Sequence, residues 1–378
     1  MAEFSPMMQH YLATKKQYND CILFYRLGDF YEMFFDDAIT VSKELELTLT
    51  GKDCGQEERA PMCGVPFHAA ETYINRLVSN GHKVAICEQM EDPKLAKGIV
   101  KREVIKVVTP GTNLNAQALD ETKNNYLFCI YYQGDVIGVS ICDFSTGDYF
   151  VTELKSENEL IDEINKFVPS EIIVNEYFAM SGIDLTAVNE KLNISMSTLE
   201  NWYFDEDSSI KKLLSHFKIS ALDGLGVKDY PTGIIAAGAL LTYLYETQKS
   251  DMSHIITLTP YTTGKYMLID SSSRRNLELV ETLREKQKRG SLIWVLDKTK
   301  TAMGARALRS MIEQPLINKD EIINRQNVVE ELCNNQIDRE ELREYMNPIY
   351  DLERLMTKIS CKSANPRDLI AFRNSLEM

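Results

Sequence analysis

The chain has 378 residues, 44% apolar and 26% charged, with a formal net charge of −14. That length suits two or three domains, each with its own core, and the surplus of acid argues against a general polyanion binder. No run approaches the ~18 uncharged apolar residues of a membrane span, and the start, MAEFSPMMQHYLATKKQ, lacks the basic-then-apolar layout of a signal peptide.

The eight cysteines are scattered and form no Cys-x-x-Cys pair. They read as reduced thiols, mostly in the core, with no metal site. The charge is unevenly placed. Residues 1–115 carry 13 basic against 16 acidic side chains, and residues 116–264 carry 9 against 22 with no arginine. Residues 265–311 carry 11 against 5, and residues 312–378 carry 9 against 13. The acidic middle would repel a phosphate backbone and suits a protein partner, so phosphate contacts are expected from the two ends.

In chain order, CILFYR (21–26) is an apolar run of strand length. DDAITVSKELELTL follows with Ala38, Val41, Leu45 and Leu49 at helical spacing and Asp36 or Asp37 as a candidate N-cap. ETYINRLVSNGHKVAICEQ reads as a helix stopped by Asn80-Gly81 and then a buried strand, and REVIKVVTPGT as a strand closed by Pro-Gly. A polar linker, NLNAQALDETKNN, leads to three strands joined at Gln133-Gly134-Asp135 and at Ser145-Thr146-Gly147-Asp148. ENELIDEINKFV is an amphipathic helix, EIIVN a strand, and GIIAAGALLTYLYETQ a small-residue helix, which together predict a second α/β domain with a mixed sheet. From Ser271 the pattern is helical: SSSRRNLELVETLREK, MGARALRSMIEQP, KDEIINRQNVVEELCNN and NPRDLIAFRNSLEM, the last with Asn365 as N-cap and Pro366 at the first position. The sequence stops inside that helix, as if a helical domain were cut off.

Gly264-Lys265 does not make a phosphate loop. That loop needs a glycine five residues earlier and Ser or Thr after the lysine, and Thr259 and Tyr266 stand there. Asp135, Asp143 and Asp148 lie on one meander, as nuclease acids do, but turn chemistry accounts for Asp135 and Asp148, and arginine-free surroundings would not hold DNA. His68 has no Cys or His at ligand spacing and suits a polar contact. The segment LGDFYEMFFDDA is less ordinary. In extended backbone Phe30 and Glu32 point the same way and Tyr31 the other, and Gly28-Asp29 just before them marks a bend. An aromatic ring and a carboxylate then project together from a strand tip, although a core Phe beside a surface Glu is the simpler reading of the pattern alone.

FYRLGDFYEMFFDDA resembles the signature of the MutS DNA mismatch-recognition family, with its Phe-x-Glu element at Phe30 and Glu32. APMCGVPFHAAETYINRLVSNGHKVAICEQMEDP, VKREVIKVVTPGT, DSSSRRNLEL and GSLIWVLDKTKTAMGARALRSMIEQPL resemble its later blocks in the same order, essentially from Met1 to Met378. Phe67 stands where many members carry Tyr, and Cys63 where Ala is common.

The resemblance implies a multidomain fold, α/β then all-α. A mixed α/β mismatch-binding domain (1–115) precedes a ribonuclease-H-like α/β connector without nuclease activity (116–264) and a truncated α-helical lever and core (265–378). It implies mismatched or unpaired bases in double-stranded DNA as ligand, a homodimer in the full-length form, a MutL-type partner on the connector, and a cytoplasmic, nucleoid-associated location. Full-length members are DNA-dependent ATPases using ATP and magnesium. No P-loop is found here, so neither cofactor nor enzyme activity is expected of this chain.

By resemblance, Phe30 wedges into a kinked site and Glu32 bonds the mispaired base. An apolar ring stacks on any base, and a mismatched step is easier to unstack and kink than a paired one. A carboxylate among phosphates is repelled unless a base edge compensates it, which disfavours paired DNA. Arg59, His68 and Arg102 in the matching blocks are candidates for phosphate or groove contact, with Lys101 and Lys106 flanking Arg102, and Met62 and Pro66 for apolar groove packing. The competing readings are a non-catalytic interaction fragment or an anti-recombination paralogue without mismatch reading; such paralogues usually lack the Phe-x-Glu element.

Overall fold

The apolar run after residue 20 forms strand β1 (Cys21–Leu27), which turns through Gly28-Asp29 into β2 (Phe30–Phe34) in the computed structural model. The model describes residues 4–91, 98, 100–115 and 118–378. So tight a turn is possible because Gly28 sits at φ +59°, the left-handed region that costs a glycine nothing. With β3 (Thr50–Lys52), β4 (Ala60–Pro66), β5 (Lys83–Gln89) and β6 (Arg102–Val108), these strands form a six-stranded sheet in the order β3-β4-β2-β1-β5-β6. Only the β1–β5 pairing in it is parallel.

Three helices pack on this sheet: α1 (Pro6–Gln17), α2 (Phe35–Leu45) and α3 (Ala70–Ser79). Ala38 and Val41 of α2 and Leu77 of α3 bury Phe24, Tyr31, Met33 and Val65 on one face. On the other face, Met8 and Tyr11 of α1 cover Leu23, Tyr25 and Phe34. Two expectations need correction. The helix expected to run to Leu49 ends at Leu45, because Glu46 turns left-handed, and Leu49 is exposed. Neither Asp36 nor Asp37 caps it: the N-cap is Phe34, and Asp37 is buried, accepting from the Leu23 N–H and pairing with Lys15.

Met1–Ala118, with Leu244–Lys249, forms one unit; Leu119–Tyr243, with Ser250–Met378, forms the other. In the second unit the expected meander is β7 (Leu127–Tyr132), β8 (Ile137–Asp143) and β9 (Asp148–Leu154). With β10 (Glu171–Asn175), β11 (Ser195–Leu199) and β12 (Thr259–Pro260) it makes a mixed sheet, β11-β10-β7-β8-β9-β12. Its helices are α4 (Glu157–Phe167), α5 (Glu176–Met180), α6 (Thr186–Leu192), α7 (Glu206–Phe217) and α8 (Pro231–Gln248). No helix among the described residues is long and apolar enough to cross a membrane.

Two of the meander's carboxylates serve structure. Asp143 is buried and accepts from the Asn125 and Ser145 N–H groups, and Asp148 takes a hydrogen bond from the Thr146 hydroxyl in the same turn.

The remainder is helical: α9 (Ser271–Asn276), α10 (Leu292–Leu296), α11 (Ala302–Glu313), α12 (Lys319–Asn334), α13 (Gln336–Met346), α14 (Leu352–Ser360) and α15 (Pro366–Leu376). The helix read from SSSRRNLELVETLREK is far shorter than its pattern. Asp270 caps α9 by accepting from Ser272 and Ser273, but Glu278 and Lys286 are left-handed and turn the chain away. By contrast α15 starts as expected, with Asn365 and Asp368 closing a capping box around Pro366.

Candidate nucleic-acid interface

The β1–β2 hairpin fixes the direction of the side chains that follow Gly28. Phe30 pairs with Leu27 and Pro66, Glu32 with Tyr25 and Gly64, and Phe34 with Met62. These residues therefore share one sheet face, opposite to Tyr31 and Met33. Helix α1 packs on Phe34, whose ring lies edge-on to Tyr11 at 4.9 Å. Toward the hairpin tip the side chains emerge: Phe30 is 46% exposed, whereas Tyr31 and Met33 are core. The bland possibility, a buried Phe30, is excluded by this geometry.

The tip is braced from several sides. The Arg26 Nε–H donates to the Gly28 carbonyl at 2.5 Å, and the Phe67 N–H donates to the Asp29 carbonyl at 2.9 Å. The Arg26 guanidinium lies 3.8 Å over the Phe67 ring and 3.3 Å from Glu88, which also accepts from the Tyr31 hydroxyl. Beneath it, Arg102 is 8% exposed and donates to the carbonyls of Arg26 and Val100. Its guanidinium is 5.2 Å from the Tyr25 ring centroid. Burial pushes the Tyr25 phenol up to about 12, with the Arg102 charge pulling it back. Arg102 thus supports the hairpin from within the fold, and it is not placed on the surface that a phosphate would meet.

The other candidates are distributed around the same end of the sheet. Pro66 is partly exposed beside Phe30. Met62 is partly buried against the α1-side core. His68 is exposed, edge-on to Phe67 at 5.8 Å. Arg59 is exposed, and its stem lies across Gly51, where an added Cβ would stand 3.1 Å from the Arg59 Cβ. Gly64, opposite Glu32, leaves that stretch of the sheet face without a side chain. Cys63 next to it is core, and burial pushes its thiol up to about 11, so it is inert.

Sequence reasoning missed two residues here. Arg26 locks the turn, and Lys52 Nζ reaches the Glu32 carboxylate at 2.5 Å. Lys52 closes the three-residue edge strand β3, just past the helical pattern that reaches Leu49. Only the fold brings it to Glu32.

Models described as MutS domain I, MutS domain II and MutS domain III match residues 5–117, 125–256 and 272–378. A DNA mismatch repair protein MutS from Lachnoclostridium phytofermentans is 65% identical over 378 residues, which is all of this chain and 41% of that protein. Proteins of the same description from Ruminiclostridium cellulolyticum and Acetivibrio thermocellus are 54% and 52% identical over 100% of this chain and 43% of theirs. The chain spans about two-fifths of the length of the curated relatives it matches.

Proposed function

The chain belongs to the MutS family, and from that premise we propose that its first domain recognises mismatched or unpaired bases in double-stranded DNA, with Phe30 as wedge and Glu32 as base contact. The observation that carries this reading is the half-exposed Phe30 ring at a braced hairpin tip, with Glu32 beside it on the same sheet face. A wedge must not fold back when it meets a stacked duplex, and the bonds from Arg26, Phe67 and Arg102 hold the backbone of the turn that leads into it.

The mechanism discriminates by mechanics. Entering a base step requires unstacking it, at a cost of about a few kcal/mol that is lowest where pairing is already defective. The ring recovers about 1–3 kcal/mol by stacking, whatever the base. Glu32 adds selectivity, because its charge opposes the phosphates unless a base edge hydrogen-bonds it. In this reading the exposed Arg59 and His68 position the DNA backbone, and Pro66 packs in the groove beside the ring. Arg102 contributes through Arg26.

The ATP-driven steps, the homodimer contacts and any magnesium requirement lie outside this chain in the proposal. The acidic connector exposes Tyr177, Met180 and Trp202 and suits a MutL-type protein partner. The paralogue reading is disfavoured because Phe30 and Glu32 are both present and similarly directed.

Fluorescence anisotropy with labelled duplexes, one with a central G·T pair and one fully paired, tests the reading. Phe30→Ala should abolish preference for the mismatch, and an undiminished preference would falsify the wedge. Glu32→Gln should keep or strengthen binding, most of all to paired DNA; clearly weaker binding to both duplexes contradicts the repulsion argument.

A further inference from the structure

The Lys52–Glu32 pair has no necessary part in holding the sheet together. Lys52 sits at the end of an edge strand, and β3 is separated from β2 by the whole of β4. Its ammonium passes 5.7 Å from the Phe34 ring centroid to reach Glu32 Oε2 at 2.5 Å, and both side chains keep solvent contact, 32% for Lys52 and 17% for Glu32. The groups facing Glu32 from the neighbouring strands bring no competing charge: Tyr25 on β1, whose hydroxyl meets His10, and Gly64 on β4. Among the described residues, Lys52 is the only cation at ion-pair distance from it.

We propose that Lys52 is a specificity-setting residue for the mismatch reading above, on which this inference rests: it neutralises Glu32 until a base edge displaces it. A carboxylate facing a duplex without a counter-charge would repel every duplex, including the correct substrate during search. With Lys52 in place the approaching surface is locally neutral, so the protein can scan paired DNA. A pair that keeps this much contact with solvent is worth on the order of five-fold in an equilibrium. That is weak enough for a base hydrogen bond to exchange for it and strong enough to hold Glu32 against the sheet meanwhile. Once displaced, the ammonium is free to turn toward a phosphate, so the exchange strands no charge.

This differs from an ordinary phosphate contact in one respect. A phosphate contact acts independently of Glu32, whereas a counter-charge acts through it. The test is a double-mutant cycle of Lys52→Met and Glu32→Gln on this chain. Anisotropy is read with the G·T and fully paired duplexes at ionic strength on the order of 0.01 M, where screening is least. Lys52→Met should weaken binding to paired DNA at least three-fold more in the Glu32 background than in the Glu32→Gln background. It should also widen the mismatch-to-paired affinity ratio only when Glu32 is present. Equal losses in both backgrounds, within two-fold, would make Lys52 an independent phosphate contact and overturn the proposal. Phe30→Ala in the same assay keeps the two ideas apart. If mismatch preference survives it, the wedge reading falls, while the coupling on paired DNA still judges Lys52. If preference is lost but the cycle is additive, only the Lys52 inference falls. Both substituted positions are solvent-accessible, and circular-dichroism melts at the wild-type temperature verify that the variants fold.

Discussion

Arg306→Met should destabilise the second unit by about 2–3 kcal/mol. Arg306 on α11 is 4% exposed and makes a two-pronged bond to Asp351, at 2.7 and 2.8 Å, and a third to Glu353 at 2.6 Å. It also donates to the Glu121 carbonyl at 3.0 Å, tying the segment before β7 to the helical region. Removing one partner of a fully buried pair costs about 3–5 kcal/mol. Here the figure is reduced, because the Glu353 side chain is 46% exposed and water can take over its solvation. Asp351 also keeps the Arg354 N–H and a guanidinium at 3.8 Å.

The pH dependence has a definite sign. Burial pushes the Asp351 carboxyl up, but the hydrogen bonds and charge of Arg306 outweigh it and hold it below the usual carboxylate range. The stabilisation is therefore full above the unfolded value, about 3.9, and is lost as pH falls through the lower folded value. Both tryptophans, Trp202 and Trp294, lie in this unit, so urea unfolding followed by their fluorescence reports on it directly. The variant should show a lower midpoint at pH 7, with the gap to wild type closing in acid. Arg306→Lys, which keeps the charge but loses the fork, should recover part of the loss. A variant within about 0.5 kcal/mol of wild type at pH 7, the range of an ordinary surface change, refutes the argument. So does a gap that persists unchanged at pH 3.

His254 is buried and its Nε2 hydrogen-bonds the Phe144 carbonyl; burial holds its imidazole down to about 4. The unfolded chain then binds the extra proton first, so wild type should lose up to about 3 kcal/mol as pH falls from 6.5 toward 4. Urea midpoints of His254→Gln should be flatter across that window, and parallel curves would contradict this. Gly138→Ala would place a Cβ 2.3 Å from the Thr232 carbonyl oxygen, forcing α8 off the sheet. A cost of about 1–3 kcal/mol is expected, and an unchanged thermal midpoint of the second unit would show that the helix gives way freely. The chain by itself should bind DNA weakly, given its net charge of −14, and more weakly as salt rises; submicromolar binding at physiological ionic strength would count against it.

Sequence reading succeeded where a side-chain period was long and clean. The strands from Cys21, Leu127 and Glu171 and the helices from Glu157, Pro231, Lys319 and Pro366 all follow from local pattern and caps. It failed where tertiary partners decide. Helix α1 buries only Met8 and Tyr11 and has almost no amphipathic signal. The helical spacing of Leu45 and Leu49 ran past the true end of α2, because Glu46 is left-handed. At the candidate site, alternation alone gave Phe30 and Glu32 a shared direction but left open whether the ring was buried. Arg102 and Arg59 look equivalent as sequence, yet one is enclosed by backbone carbonyls and the other lies in solvent. Nothing local separates them, since the difference comes from which strand closes the sheet.

Under the proposed function, that difference divides affinity from specificity. An exposed cation such as Arg59 pulls on any phosphate and adds equally to paired and mispaired duplexes. A buried strut such as Arg102 adds nothing to that pull but governs how far the hairpin yields when Phe30 meets a stacked step. If the tip flexed, part of the unstacking cost would go into bending the protein, the DNA would be less deformed, and the gap between a sound step and a defective one would shrink. The same reasoning applies to Glu32. Its counter-charge is a flexible lysine from an edge strand, where a rigid arginine fork would hold the carboxylate too firmly for a base edge to claim it. The fold thus keeps the wedge stiff and the acid exchangeable, and a detector of mechanical weakness in DNA needs that combination.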